Sequence, residues 1–315
     1  MRWSLVEPPE RYRTFSRFLR ERYGGKVWKI PVDAGFSCPN RDGTRGHDGC
    51  TFCRQESFNP MPSRQAIEVA AQIEAGIRLA RQRFGIDKFI VYFQTASNTH
   101  APVATLNRLF EQAIAFPGVV GLDISTRPDC LGPEILELLA GFAARTDLWV
   151  EVGLQSIHDR TLSIIHRGHT YQEYLDAVGA LQRLPVRICT HLILGLPGED
   201  AEMMRQTATA VARVPIHEIK LHPLLILEGT AMAAALQEGR VEPLSLEDYA
   251  ALVVDFIERM PEDRVLQRMT AEAPAGMLIA PRWALEKHQV RRAVNVELVK
   301  RGSRQGCRFH QKALS

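Results

Sequence analysis

From residue 27 to about residue 238, short apolar runs alternate with stretches in which apolar residues recur every three or four positions. Six runs have strand character: 27–32, 88–93, 121–125, 148–154, 186–194 and 218–225. The intervening stretches read as helices. After the first strand, Ile67, Ala70, Ile73, Ile77, Ala80 and Phe84 keep a spacing close to 3.6, and Ser63 is placed to cap them. Further helices are expected at 102–115, from Pro133 onward, at 159–166 and 171–184, at 201–214 and near 230–238. Proline is tolerated in a first helical turn, which is why Pro133 opens a helix and does not break one. Regular alternation of strand and helix predicts a parallel sheet covered by helices. An eight-unit barrel takes about 250 residues, so six units in about 210 residues predict an open, partial (β/α)6 barrel. A doubly wound open sheet is the alternative.

The pattern changes near residue 240. Ser245 and Asp248 open a helix carrying Tyr249, Leu252, Val253, Phe256 and Ile257, a further strand is expected at 265–270, and a last helix at 285–300 presents Leu285, Val290, Val294 and Leu298 before Gly302. The expected organisation is a basic N-terminal extension (1–23), the partial barrel (24–240), and a C-terminal α/β extension (241–315) that closes the barrel and ends in a basic tail.

Composition narrows the class. Hydrophobic residues make up 45% and charged residues 24%, as in globular proteins. No apolar run approaches the roughly 18–20 residues that span a bilayer. The Arg-rich N-terminus lacks the apolar core of a secretory signal, so no membrane association and a cytoplasmic location are expected. Charge is uneven: residues 1–30 carry +5 and residues 282–315 carry +7, which leaves −9 for the middle of a chain of net charge +3. Two basic ends on an acidic body suit a polyanionic partner or simply solvated faces. Trp3, Tyr12 and Trp283 are candidate stacking surfaces for bases.

The most informative chemistry is in the cysteines. Of six, Cys38, Cys50 and Cys53 cluster as C-x11-C-x2-C, with Gly43, Gly46 and Gly49 letting the loop wrap. Cys130, Cys189 and Cys307 are too dispersed for a second cluster, although His310 lies near Cys307. Three thiolates on a [4Fe–4S] cubane leave one iron open, free to take the amine and carboxylate of S-adenosylmethionine. His47 lies between the cysteines, so a Cys3His zinc site is also chemically possible. The loop follows the first strand, at the C-terminal face where βα arrays build their sites, and this address favours the cluster.

Other segments extend the pattern: Tyr92-Phe-Gln-Thr-Ala-Ser-Asn98, Ser125-Thr-Arg-Pro-Asp129, Glu151-Val-Gly-Leu-Gln-Ser156, Arg167-Gly-His169, Gly195-Leu-Pro-Gly-Glu199 and Lys220-Leu-His222. With the cysteine loop, these resemble the radical S-adenosylmethionine (radical SAM) superfamily. More narrowly they resemble the YhcC/YtqA-type proteins and, in a wider circle, the radical domain of the elongator catalytic subunit. The resemblance runs over roughly residues 15–300. The long first cysteine gap departs from the superfamily's common C-x3-C-x2-C but is what this subgroup shows.

The resemblance implies a [4Fe–4S] cluster on Cys38, Cys50 and Cys53, and reductive cleavage of S-adenosylmethionine to a 5′-deoxyadenosyl radical. It also implies an electron donor such as flavodoxin or ferredoxin. Cofactor contacts are expected from backbone near Gln94, from Ser125 and Glu151, from Gln155 to the ribose, and from Arg167 to the methionine carboxylate. Gly195 and Gly198 would let backbone approach the adenine. For Glu151 an internal salt bridge, for instance with Arg127, is the competing reading. Lys220 and His222 are candidates for a proton donor or substrate contact inside the barrel. His191, His217 and His222 otherwise read as packing or surface residues. For substrate, the resemblance points to tRNA, at the side chain of the wobble uridine, for instance carboxymethylaminomethyl remodelled toward aminomethyl. The 315 residues are not expected to hold the elongator subunit's acetyltransferase domain or a cobalamin domain. A small-molecule or porphyrin-type substrate is the second reading, since Gly-Leu-Gln-Ser and Arg-Gly-His also resemble the anaerobic coproporphyrinogen oxidases. A non-catalytic zinc-binding RNA-interaction protein is the third.

Overall fold

The structure is a computed structural model that describes residues 11–54, 68–94, 96–273 and 276–310. Ser63, Ile67 and Trp3 lie outside the described residues. Six strands stand side by side in chain order, all parallel: β1 (Trp28–Val32), β2 (Phe89–Phe93), β3 (Val119–Thr126), β4 (Asp147–Gln155), β5 (Arg187–Leu194) and β6 (Glu218–Pro223). A two-residue strand, β7 (Ile226–Leu227), then leaves the sheet. β8 (Val265–Arg268) returns to pair parallel with β6 as the seventh strand, and β9 (Leu278–Ala280) forms an antiparallel ribbon with β7. The region after residue 240 thus extends the main sheet. β1 and β8 are its two edges, so the barrel is open; Pro31, which cannot donate to a ladder, is tolerated on edge strand β1.

The connections are helical: α1 (Phe15–Tyr23) precedes β1, and then come α2 (Val69–Phe84), α3 (Val103–Ile114), α4 (Pro133–Ala143), α5 (Asp159–Ile164), α6 (Tyr171–Leu181), α7 (Ala201–Arg213), α8 (Ala231–Gln237), α9 (Leu246–Arg259) and α10 (Lys287–Lys300). Their ends follow local chemistry. Thr170 and Glu173 form a reciprocal capping box on α6, Asp200 and Ser245 cap α7 and α9, and Pro133 occupies the first turn of α4. The last helix begins later than the pattern suggested, because Arg282–Leu285 forms a 3-10 turn, and Leu285 is half exposed.

Strand alternation sorts the side chains. Val91, Ile124, Val150, Val152, Ile188, Ile219 and Leu221 face outward and bury against Leu106, Phe110, Phe142, Tyr174, Val253 and Phe256 of the helices. The opposite face carries Lys29, Tyr92, Asp123, Glu151, Cys189, His191, Lys220 and His222. Below it, Phe18 and Leu19 of α1 pack on Ile90, Trp149 and Val265, which plugs the end where the strands begin. Residues 11–13 and Gln305 meet on this side: Gln305 N–H donates to Arg11 O at 2.9 Å, and Arg13 N–H donates to Gln305 Oε1 at 2.7 Å.

Candidate functional site

The cysteine loop leaves β1 at the end where the strands finish. Cys38 O accepts from Arg41 N–H at 2.7 Å, Asn40 O accepts from Gly49 N–H at 2.8 Å, and Cys53 N–H donates to Cys50 O at 2.9 Å. Gly43 and Gly49 hold φ near +91° and +75°, values that suit glycine. The loop is tied down on both sides: Thr51 N–H donates to Ile165 O at 3.1 Å, and Met232 N–H, at the start of α8, donates to Thr51 O at 3.0 Å. Phe52 joins the apolar cluster of Leu162, Ile165, Ile193 and Met232.

Cys50 is buried, and Cys38 and Cys53 are half-buried. Two N–H donors face Cys50 Sγ, Asn40 Nδ2 at 3.4 Å and Arg167 Nη1 at 3.6 Å. Asn40 Nδ2 also lies 2.8 Å from His166 O and 2.9 Å from Arg167 O, so one amide joins the cysteine loop to the segment after α5. Burial pushes the Cys53 thiol up to about 11, and the neighbouring Cys50 and Cys38 add to the rise. A thiol raised by burial and by neighbouring thiols is held as thiolate by cations and N–H donors, and three gathered thiols suit a thiophilic polynuclear group. Among the described residues no three His, Cys, Asp or Glu converge as a single-ion site. His47 is exposed and lies over Gly43, so the Cys3His arrangement is not assembled. Thiolates of a cubane sit on separate irons, and hydrogen bonds to sulfur are part of such sites. The donor set therefore fits a [4Fe–4S] cluster.

Arg167 is fixed from three sides. Its Nη2 donates to Gly153 O at 2.8 Å, and its Nε donates to His169 Nε2 at 3.0 Å. A Cβ on Gly153 would stand 2.5 Å from Arg167 Nη2, so a larger residue there would displace the guanidinium. Burial, with the Arg167 charge beside it, pushes His169 down to about 3. The neutral ring accepts at Nε2, so Nδ1 carries the hydrogen and donates to Thr170 O at 3.2 Å. Arg167, expected at the methionine carboxylate, is thus turned toward a cysteine sulfur. Gln155 ends β4 at a register shift with φ of +78°, a strained value for a residue other than glycine. It is buried, and its Oε1 has no partner among the described residues. Arg127 pairs with Asp129 (2.9 Å) and leaves Nη1 buried and unpartnered. Ser125 offers its backbone carbonyl, which already takes the Asn98 amide at 3.0 Å. Gln94, just past β2, is partly exposed, and its N–H reaches Val32 O at 3.4 Å.

Glu151 lies elsewhere. Its Oε1 takes Lys29 Nζ at 2.7 Å, and its Oε2 takes both Lys220 Nζ and the Tyr92 hydroxyl at 2.7 Å. The salt-bridge reading holds, but the partner is not Arg127. Lys29 also pairs with Asp123, and Lys220 Nζ is 2.9 Å from Tyr92 Oη. Below, Glu218 accepts from Trp149 Nε1 at 2.8 Å and from Arg187 Nε at 2.9 Å. Burial and the Glu151 charge push Asp123 up to about 8, Lys29 and Lys220 opposing. Burial alone would raise Glu151, but Lys220 and Lys29 outweigh it and hold it well below the carboxylate range. Lys220 is inside the barrel as expected, but saturated. His222 is also inside, its ring 4.2 Å from that of His191 at 63°. His217 is on the surface, where its Nδ1 accepts from Ile188 N–H at 3.0 Å.

Sequence alone assigns no role to Asn40, Lys29, Asp123 or Tyr92. A lysine and an aspartate inside otherwise apolar strand runs were the available signals.

Residues 40–211 match the family model for the Radical SAM superfamily, and residues 216–300 match that for the Radical_SAM C-terminal domain. YtqA of Bacillus subtilis, an uncharacterized protein, is 42% identical over 303 residues, which is 96% of this chain and 94% of that protein. The tRNA uridine(34) acetyltransferase of Methanocaldococcus jannaschii is 29% identical over 164 residues, which is 51% of this chain and 30% of that protein. Among solved structures, Elp3 of Methanocaldococcus infernus superposes with a TM-score of 0.68 at 18% identity, over 89% of this chain and 64% of that one. This likeness is one of fold. No helix among the described residues is long and apolar enough to cross a membrane.

Proposed function

The chain belongs to the radical SAM superfamily, and from that premise we propose that it modifies tRNA at the wobble-uridine side chain, with Cys38, Cys50 and Cys53 holding its cluster. It is a radical SAM enzyme whose cofactors are a [4Fe–4S] cluster and S-adenosylmethionine. Bound together, these supply a carbon-centred radical by reductive cleavage of the sulfonium; an electron donor such as flavodoxin or ferredoxin is the proposed source of the electron.

The observation that carries the site is the pair of donors on Cys50 Sγ, Asn40 and Arg167. Both stabilise a thiolate, and both are anchored to the segment after α5, so they fix the loop at the barrel mouth. Gln155 Oε1, buried and unpartnered, is the proposed contact to the adenosyl ribose. Backbone at Gln94 and Ser125 lines the same rim. Phe52 and its apolar neighbours shield the loop from water.

The tRNA assignment draws on the likeness to the tRNA uridine(34) acetyltransferase. Anaerobically reconstituted protein, incubated with S-adenosylmethionine, a reductant and undermodified tRNA, tests it. 5′-Deoxyadenosine and an altered wobble nucleoside by mass spectrometry are expected, with tRNA affinity falling steeply as salt rises. An unchanged nucleoside profile in a deletion strain, with no salt-sensitive tRNA affinity, would sink the assignment.

One observation favours a small-molecule substrate instead. The described parts of the two basic regions, at Arg11, Arg13 and Gln305, meet at the opposite end of the barrel from the cysteines. Several of their arginines are spent on carboxylates: Arg13 and Arg17 on Glu21, Arg22 on Asp147, Arg304 on Glu262 and Arg308 on Glu258. A metabolite accumulating in the deletion strain, with tRNA unchanged, would select this reading.

A further inference from the structure

The inner face of the barrel holds a second set of unpartnered polar atoms, distinct from those at the cysteine loop. In the sheet register, His191 on β5 lies opposite Lys220 on β6, and Lys220 lies opposite Arg268 on β8. His222 is two residues beyond Lys220, on the same face and nearer the mouth. The two imidazoles meet edge to face, and the Nε2 of each is buried with no partner among the described residues. A buried polar atom left unpaired is destabilising. Two on one spot mark a place that a ligand completes.

The surrounding charge says which ligand. Lys220 is held by Glu151 and Tyr92. Among the described residues Arg268 has one carboxylate contact, to Glu272 at 3.6 Å, beyond hydrogen-bond reach, and Glu272 is also held by Lys287. Burial keeps both imidazoles neutral, and the Lys220 and Arg268 charges push in the same direction, with Glu151 opposing them at His191. The spot is therefore positive, with neutral imidazole nitrogens and a planar guanidinium fork. A fork of this kind pairs with a planar carboxylate through two parallel hydrogen bonds.

We propose that His191, His222 and Arg268 form a carboxylate-binding subsite into which the substrate's reacting arm extends its acid group. This rests on the reading that the substrate enters the barrel of a radical enzyme. It narrows that substrate to one bearing a carboxylate close to the carbon attacked, as a carboxymethylated side chain does.

Nitrogen NMR of the full chain, reconstituted and labelled with 15N-histidine, tests the subsite with small probes. His191→Gln and His222→Gln assign the two signals. Acetate is expected to shift both imidazoles saturably, and acetamide and methyl phosphate to bind at least tenfold more weakly. Arg268→Gln is expected to weaken acetate tenfold or more, and Arg268→Lys to restore part of the loss. The subsite is overturned by an absence of saturable shifts, by acetamide or methyl phosphate matching acetate, or by an acetate affinity that Arg268→Gln leaves untouched. No arm uses tRNA or cleavage of S-adenosylmethionine, so its failure and that of the tRNA assignment are told apart.

Discussion

At the mouth of the barrel, Ala96, Gln155 and His166 hold positive φ angles, the only such residues besides glycine among those described. Gln155 Oε1 and Arg127 Nη1 are buried there without partners. Halfway down the same sheet the pattern reverses. Lys29, Tyr92, Glu151 and Lys220 are bound to one another at 2.7–2.9 Å, and Glu218 is held by Trp149, Arg187 and Gln267. The mouth carries strain and unmet hydrogen bonds, whereas these five inner groups are all paired, although the Nε2 atoms of His191 and His222 beside them are not. Unmet groups at a mouth await a ligand, while a saturated network holds a shape. The division separates residues whose loss should stop chemistry from residues whose loss should loosen the fold.

The largest contrast comes from Cys50→Ala. Iron and sulfide content after reconstitution should fall, and 5′-deoxyadenosine formation should drop to background. Unfolding of the cluster-free chain should change by only about 1 kcal/mol, since this is a modest truncation at a loop. A cluster that assembles normally without Cys50 would break the comparison at the mouth.

Glu151→Ala probes the saturated zone. It leaves Lys29 and Lys220 buried without their shared carboxylate, and breaking a buried pair from one side costs about 3–5 kcal/mol. Denaturant unfolding of the cluster-free chain measures this. Glu151→Gln, which keeps the shape and can still accept hydrogen bonds, should lose less. A loss under about 1 kcal/mol for the alanine variant would mean the network is not what holds the inner face.

How far sequence could anticipate this division differs between the zones. The outer face of every strand was legible, because apolar runs between amphipathic helices have few other places to go. The cysteine loop was legible from spacing and position. Asn40 was not, because its role depends on the segment after α5 lying against it. The ion network was out of reach for a geometric reason: Lys29 on β1 meets Glu151 on β4, and those strands are not neighbours. Only the curl of the sheet brings them together, which is also why Arg127, nearer in sequence, was the wrong partner. β8 was visible as a strand, but four residues do not announce which edge they join.

Acid should act on both zones through buried neutral histidines. His169, at the mouth, has its protonation pushed down to about 3, against about 6.5 for an unfolded chain. Between those values the unfolded chain binds the extra proton. Stability is therefore complete above about pH 6.5 and falls as pH drops, by up to about 1.4 kcal/mol per unit. Going from pH 6.5 to 5, His169 alone should remove about 2 kcal/mol. His169→Asn should flatten the profile by that amount, leaving the contributions of His191, depressed to about 3, and His222, also depressed, both mainly by burial. Identical slopes in the two proteins would show that His169 does not titrate as a buried neutral group.

The smallest effect has the most telling sign. Gln155 holds φ of +78° where glycine would sit without strain, and its carbonyl oxygen satisfies nothing in the folded chain. Gln155→Gly removes both costs, of order 1–3 kcal/mol for the backbone, and returns roughly 0.5–1 kcal/mol in added unfolded-state freedom. The net expectation is a chain more stable by about 1 kcal/mol with a weakened hold on S-adenosylmethionine. Denaturant unfolding and equilibrium binding of S-adenosylmethionine to the reconstituted protein would measure the two halves separately. Gln155→Asn is the control: asparagine tolerates this backbone region but reaches one methylene less far, so it should weaken binding without the full gain in stability. If Gln155→Gly instead destabilises the fold, the residue is packing, and the strain at the mouth has another cause.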